Sequence, residues 1–481
     1  LPEAQATRRS LLRDRRIRRL SLGYACSSVG SAMASIAVAY VAYTETESIV
    51  LTALVFSGNT LPFLFLAPLS SRLVTRYDLR HALIAVDSAK ALVWVGAAVA
   101  AGMGELGYGL VIAVNFASGS LSALGVAAWP RVSEVVAPRG RLTDLSALFS
   151  SIPAAASVTG ALLGGTIVVA LGEAWVFAID ALTYLPLLVV LATMPPIPSL
   201  PRRAGGAVRN GARFVLRSEQ LRQAFALAAL LNFAAFPLLS MLPAMANDID
   251  SRAHVLGFIT CAFYVGGALV VWAAAALRRR FAYSRILFAG FFGAGLLLVV
   301  HAALTDWRAP GYDALTVSLI SLVPLGLAVS LNSSLLQALV ILTCPDEEKA
   351  GVLAVYGTLA AVLTPLGGIL LGSVADLASP WAGATVAGLA LTVLALVLRS
   401  RLTVFDALGD RVGERQVHGS MGNHWHTHHR FLAGADIALL SHGHFLWLHG
   451  SGEDRLRGPV PSAVEIDFAS DEGIAVGHAE L

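Results

Sequence analysis

The chain has 481 residues, of which 56% are hydrophobic and 14% charged, with a formal net charge of +3. A soluble domain carries roughly a quarter charged residues, so a mean hydropathy of +0.70 excludes a string of ordinary soluble domains. Apolar runs recur from Leu20 to Leu398, each near the ~20 residues that a helix needs to cross a hydrocarbon core of ~30 Å.

In chain order these runs predict spans at 20–43, 49–70, 82–102, 106–128, 145–170, 174–193, 223–246, 254–276, 284–304, 313–342, 351–375 and 381–398. The expected fold class is an all-α integral membrane protein, with twelve transmembrane helices forming two six-helix pseudo-repeats around a central cavity. Residues 1–19 form a basic N-terminus, 20–193 the first bundle, 194–222 a linker, 223–398 the second bundle and 399–481 a tail. The arginine-rich start and the small residues SAMAS at 31–35 look like a secretory signal. The apolar run continues to Tyr43 and eleven more follow, so an uncleaved first helix is expected. The linker opens with MPPIPSLPRR and continues as GARFVLRSEQLRQAF, which reads as a short basic amphipathic helix on the membrane surface.

The connectors alternate in charge. Of 34 lysines and arginines, 26 lie in the N-terminus, every second connector and the start of the tail; Arg252 and Arg308 alone stand in the other set, beside Glu45, Glu173, Asp248 and Asp306. By the positive-inside rule the basic set is cytoplasmic. Both termini are then cytoplasmic, and the expected location is a bacterial inner membrane.

The two halves share a small-residue signature. GALLGG at 160–165, in the fifth span, is echoed by TPLGG at 364–368, in the eleventh. Gly160, Gly164, Gly165, Gly367 and Gly368 are expected to let helices approach closely, and paired halves around a midplane site are a transporter architecture.

Ionisable residues inside a membrane are functional candidates by default. Asp180 lies in WVFAIDALTY of the sixth span and is the first candidate for proton coupling; a structural carboxyl near the outer boundary is the bland alternative. Asp87, the second candidate, stands three residues from Lys90 in the third span, where the two read most simply as an ion pair along one helix face near its cytoplasmic end. Asn59, Asn115, Asn232, Asn332 and Gln337 are amides within spans, which line a substrate cavity or bond neighbouring helices. Tyr40, Trp94, Tyr184, Tyr264 and Tyr356 supply either aromatic walls or interfacial anchors.

Elsewhere the chemistry is thin. Cys26, Cys261 and Cys344 are widely separated and read as free, inert thiols. The tail holds nine of twelve histidines, including NHWHTHHR at 423–430. His424, His426 and His428 are weak metal candidates in a spacing that fits no zinc module, and the tail is expected to be disordered. There is no GxxxxGK[ST], HExxH, GxSxG or dinucleotide fingerprint, so neither an enzyme nor an ATP-driven pump is expected. No cofactor and no nucleic-acid module is implied.

From Arg18 to Arg399 the chain resembles the major facilitator superfamily, in particular its macrolide-efflux and enterobactin-exporter-like branch. The resemblance rests on LSSRLVTRYDLRHAL after the second span, WPRVSEVVAPRGRLTDLSAL between the fourth and fifth, GALLGG, GARFVLRSEQLRQA, and CPDEEKAGVLAVYG leading to TPLGG. It implies a monomeric secondary transporter that exports a small amphipathic molecule by alternating access, driven by inward proton movement. The resemblance also makes the turn after the second span a gating turn, comprising Thr75, Arg76, Asp78 and Arg80. Here Ser71 replaces the family's glycine and Thr75 its aspartate, Ala161 replaces a proline, Gly351 an arginine, and Asp180 a usual asparagine. An importer or facilitator of the same fold, or a membrane sensor acting through its His-rich tail, are the other readings.

Overall fold

The computed structural model describes residues 11–126, 128–138, 140–197, 207–278, 280–306 and 313–399, together with three strands at 436–440, 444–448 and 474–478. Twelve helices stand where the twelve apolar runs predict them, with ends within five residues. Spans 1 to 6 are Arg15–Thr46, Ile49–Leu66, Leu79–Gly102, Tyr108–Gly125, Asp144–Leu171 and Glu173–Thr193. Spans 7 to 12 are Glu219–Ile249, Ala253–Arg278, Tyr283–Asp306, Ala314–Thr343, Gly351–Leu377 and Pro380–Val397.

The packing repeats between halves. Span 1 lies against spans 5 and 6, span 2 against span 4, and span 3 against span 6; six places on, span 7 lies against spans 11 and 12, span 8 against span 10, and span 9 against span 12. The halves meet through span 5 on span 8 and span 2 on span 11. Glycine makes both kinds of contact possible. A Cβ on Gly164 would stand 2.8 Å from the Met33 carbonyl oxygen of span 1, and one on Gly165 2.9 Å from the Gly257 Cα of span 8. In the second half, Gly367 faces the Phe233 carbonyl of span 7 and Gly368 faces Ala53 of span 2. Each repeat therefore spends one glycine on its own first helix and the next on the opposite half. Gly160 likewise abuts Ala32.

The linker departs from a single amphipathic helix. Ala207–Arg217 is one helix, and a second starts at Glu219. Ser218 separates them because its hydroxyl accepts from the Leu221 N–H at 3.4 Å, which ends the first helix by capping the next. The first helix packs on span 11, where Gly211 meets the backbone of Gly351.

Residues 407–481 form a separate unit. Its described strands, β1 (Asp436–Leu440), β2 (His444–Leu448) and β3 (Ile474–His478), make an antiparallel sheet in that order. His424, His426 and His428 lie outside the described residues.

Candidate functional site

Two of the spans lose helical regularity, and a third carries a proline, at similar depth. Span 2 breaks at Leu61, before Pro62 restarts it. Span 7 widens into a π-helical turn at Leu231–Ala235, just before Pro237, and span 11 carries Pro365. Proline removes a backbone donor and displaces the preceding carbonyl, and single π turns inside helices recur at functional sites. All three places border one cavity of about 280 Å³ between the halves, lined by spans 1, 2, 4, 7 and 11.

Its wall is apolar, with Val38, Phe56, Phe236 and Leu239, broken by amides and hydroxyls. Asn115 donates to the Val55 carbonyl at 2.5 Å, and Asn59 donates to the Asn115 side-chain oxygen at 3.4 Å. Across the cavity, Asn232 donates to the Ala228 carbonyl at 2.8 Å and accepts from Thr364 at 3.3 Å. Of the five candidate amides, Asn59, Asn115 and Asn232 thus share this cavity. Asn332 is fully buried against Gly290 of span 9, and Gln337 is exposed on span 10.

A second cavity, of about 300 Å³, lies inside the first half, bordered by spans 1, 3, 5 and 6 and by Trp129 of the short helix Ala128–Val136. The candidate acids converge beside it. Lys90 stands 3.9 Å from Asp87, with side-chain exposures of 17% and 8%, and is within electrostatic reach of Asp180 as well. Asp180 is fully buried and accepts from the Thr183 hydroxyl at 3.3 Å, while Ser31 and Tyr184 share a hydrogen bond of 3.0 Å next to it. One oxygen of each carboxyl, Asp87 Oδ2 and Asp180 Oδ2, is buried without a hydrogen-bond partner. The cluster sits around mid-span, and Trp94 stacks on Phe177 at 5.4 Å within the apolar core that surrounds it. Sequence reading treated the Asp87–Lys90 pair and Asp180 as separate features; the packing of span 3 on span 6 makes them one.

Among the described residues the second half has no equivalent at the matching positions. Counted from the first residue of each span, the positions of Asp87, Lys90 and Asp180 correspond to Phe291, Ala294 and Ala387 in spans 9 and 12, all buried and apolar. A buried histidine, His301, occurs there instead, bonded to Ser321 at 2.8 Å and edge-on to Trp381.

The two membrane faces are held differently. At the face bearing the acidic connectors, the halves are hydrogen-bonded to each other. Asp376, ending span 11, accepts from the Ser48 hydroxyl and from the Ile49 and Val50 N–H groups, and Tyr40 donates to the Ser251 carbonyl at 3.3 Å. On either side of Ser251, the Arg252 guanidinium holds the Asp250 carboxyl down at about 2. At the arginine-rich face, the described hydrogen bonds of the turn after span 2 stay within the first half and its exit. Asp78 accepts from Arg80 N–H at 2.9 Å and from Ile197 N–H at 3.1 Å, and Arg80 donates to the Met194 carbonyl at 2.7 Å. Among the described residues Thr75 bonds back to Arg72 of its own helix, and Arg76 is exposed. Among the described residues no group of three or more potential metal ligands occurs.

Comparison with known proteins agrees with this architecture. A family model described as transmembrane secretion effector matches residues 7–421. The enterobactin exporter EntS of Salmonella choleraesuis (strain SC-B67) is 24% identical over 330 residues, 68% of this chain and 77% of the exporter. EntS of Escherichia coli O1:K1 / APEC is 23% identical over 331 residues, again 68% and 77%. Among solved structures, the nucleoside transporter NupG superposes with a TM-score of 0.61 at 12% identity, over 81% of this chain and 99% of that one. A bacterial homolog of the human lysosomal transporter Spinster, in an inward-facing unoccupied conformation, gives 0.58 at 12% identity, over 82% and 95%.

Proposed function

Because the chain belongs to the transmembrane secretion effector family of major facilitator transporters, we propose that it exports a small amphipathic molecule by alternating access, and that inward proton movement drives it. The reading takes the arginine-rich face as cytoplasmic, as the positive-inside rule requires.

The substrate class follows from the central cavity. Aromatic and aliphatic side chains accept an apolar body, and Asn59, Asn115, Asn232 and Thr364 accept or donate to its polar groups. Such cavities take ligands that are mostly apolar with a few placed polar atoms. The export direction is supported by the named activity of the EntS relatives.

The observation that carries proton coupling is the charge count of the first half. Two buried carboxyls stand with one lysine whose side chain is 17% exposed. A charge in the hydrocarbon region is costly unless paired, and one ammonium neutralises one carboxylate. The other is neutral only when it carries a proton. The cluster therefore has a place for one exchangeable proton, in a half that packs directly on the substrate cavity through span 1. One proton moving down 100 mV supplies about 2.3 kcal/mol from the electrical term, enough for more than a tenfold gradient.

The test is flux into everted membrane vesicles. A fluorescent amphiphile should accumulate when the lumen is acidified and leak out when the pH gradient is collapsed by an ionophore. Accumulation that ignores the gradient would point instead to a facilitator or to another coupling ion.

A further inference from the structure

We infer that protons and substrate communicate with the cytoplasm by different routes: the cavity inside the first half is a hydrated proton-release site for the Asp87–Lys90–Asp180 cluster, and the central cavity serves the substrate. The inference rests on the proton-coupled reading above and goes beyond it, since coupling alone is equally served by one shared cavity.

Four observations support it. The two cavities have no lining residue in common, and Ser35 and Ala32, which face one each, lie a turn apart on span 1. The first-half cavity runs from residues near the arginine-rich face, Tyr24, Trp129 and Pro153, inward to Lys90 and Ser31. Its walls carry the hydroxyls of Ser27, Ser28, Ser31 and Ser157. Finally, Asp87 itself lines the cavity and keeps a side-chain exposure of 8%.

A polar, roomy cavity holds water when each molecule finds two to four partners, and this one offers hydroxyls, a carboxylate and an ammonium. Its mouth is narrowed by an aromatic cluster, in which Tyr24 lies 4.4 Å from Trp129 and 6.0 Å from Phe149. Its lining of hydroxyls and charged groups suits water rather than an amphipathic substrate. The ammonium of Lys90 inside it disfavours a sodium ion. The titratable groups facing the cluster are Asp87 and Lys90 from span 3, Asp180 and Tyr184 from span 6 and Tyr24 from span 1; span 5 contributes only Ser157 as a polar side chain to the cavity. The transfer is simple: a protonated carboxyl gives its proton to a water in the cavity, which leaves as hydronium, and a carboxylate remains beside Lys90.

The experiment needs no substrate. In the full chain with Cys26, Cys261 and Cys344 replaced by serine, Ser157→Cys is introduced at the cavity wall, with Ser28→Cys as a second variant should the first not fold. Asn115→Cys marks the central cavity. Each is treated with a charged methanethiosulfonate reagent from the arginine-rich side. The readout is the infrared carbonyl band of a buried protonated carboxyl, and the rate at which it shifts after transfer to D₂O. The Ser157→Cys or Ser28→Cys adduct should slow that exchange tenfold or more, and the Asn115→Cys adduct should leave it within twofold. Failure of both first-half cysteines to react, or slowing only by the Asn115→Cys adduct, overturns the separate route. A band that survives both Asp87→Asn and Asp180→Asn overturns the coupling reading itself, so the two failures are distinguishable.

Discussion

The carboxylate of Asp376 accepts a 2.7 Å hydrogen bond from the backbone N–H of Ile49, so the last turn of span 11 caps the first turn of span 2. A second oxygen takes the Ser48 hydroxyl at 2.6 Å and the Val50 N–H at 3.2 Å. Helix N-termini leave donors unsatisfied and carry partial positive charge, and here the anion that meets them comes from the other half of the molecule. The contact closes the acidic face while the turn after span 2, at the opposite face, ties Asp78 and Arg80 to the exit of span 6.

Removing that cap should loosen the acidic face. Loss of an N-cap costs about 1 kcal/mol, or roughly a fivefold shift between two states. Asp376→Ala should therefore raise the reactivity of Ser35→Cys, in the central cavity, toward an impermeant thiol reagent applied from the acidic side. Unchanged reactivity would mean that Asp376 holds only its own helix end.

The turn after span 2 makes a graded prediction. Asp78 caps span 3 and holds Ile197, and Arg80 holds Met194, whereas Arg76 is exposed. Asp78→Ala and Arg80→Ala should each lower thermal stability in detergent by about 1–2 kcal/mol. Arg76→Ala should change it by less than about 0.5 kcal/mol. Restoring the family's aspartate by Thr75→Asp tests the gate directly: an increase in flux is expected if closure at the arginine-rich face limits transport, and no change would make the turn a scaffold.

Glycine substitution separates close approach from mere abundance. At Gly165 a Cβ would lie 2.7 Å from the Ala253 carbonyl oxygen, whereas at Gly293 nothing lies within 4 Å. Overpacking costs about 1–3 kcal/mol, so Gly165→Val should separate spans 5 and 8 and abolish transport. Gly293→Ala should be tolerated and gain up to about 1 kcal/mol from helix propensity. Normal flux in Gly165→Val would contradict the interface described.

The spans could be read from the sequence because an apolar run of bilayer length has one satisfactory backbone, the helix. The glycine repeat also located its partners' type, since Gly160, Gly164, Gly165, Gly367 and Gly368 all meet backbone or a small side chain. Less of the site was legible. Asp180 and Asp87 are 93 positions apart in the numbering, and only the packing of span 3 on span 6 brings them to one lysine. Asn332 and Asn115 look alike in sequence because every face of these helices is apolar, so no periodicity tells the cavity side from a helix contact. The break at Ser218 was hidden in a polar run that continues the amphipathic pattern. Ser218 directly before Glu219, a capping serine ahead of an acidic first turn, is the signal that marks it.

The ion pair in span 3 predicts non-additivity. Removing one partner of a buried pair leaves an uncompensated charge and costs several kcal/mol, about 3 or more. Lys90→Gln alone should therefore destabilise the protein strongly, and Asp87→Asn combined with it should recover most of the loss. Additive effects in a double-mutant cycle of thermal unfolding would show that Lys90 serves Asp180 or neither.

The most direct test of proton-coupled export is Asp180→Asn in everted vesicles, with a fluorescent amphiphile that the wild type concentrates under an acid-inside gradient. The substitution keeps side-chain size and hydrogen bonding and removes the proton site. The account predicts that Asp180→Asn still exchanges external for internal amphiphile at equilibrium but no longer accumulates it when the gradient is imposed. Gradient-driven accumulation equal to the wild type would contradict the account at its centre.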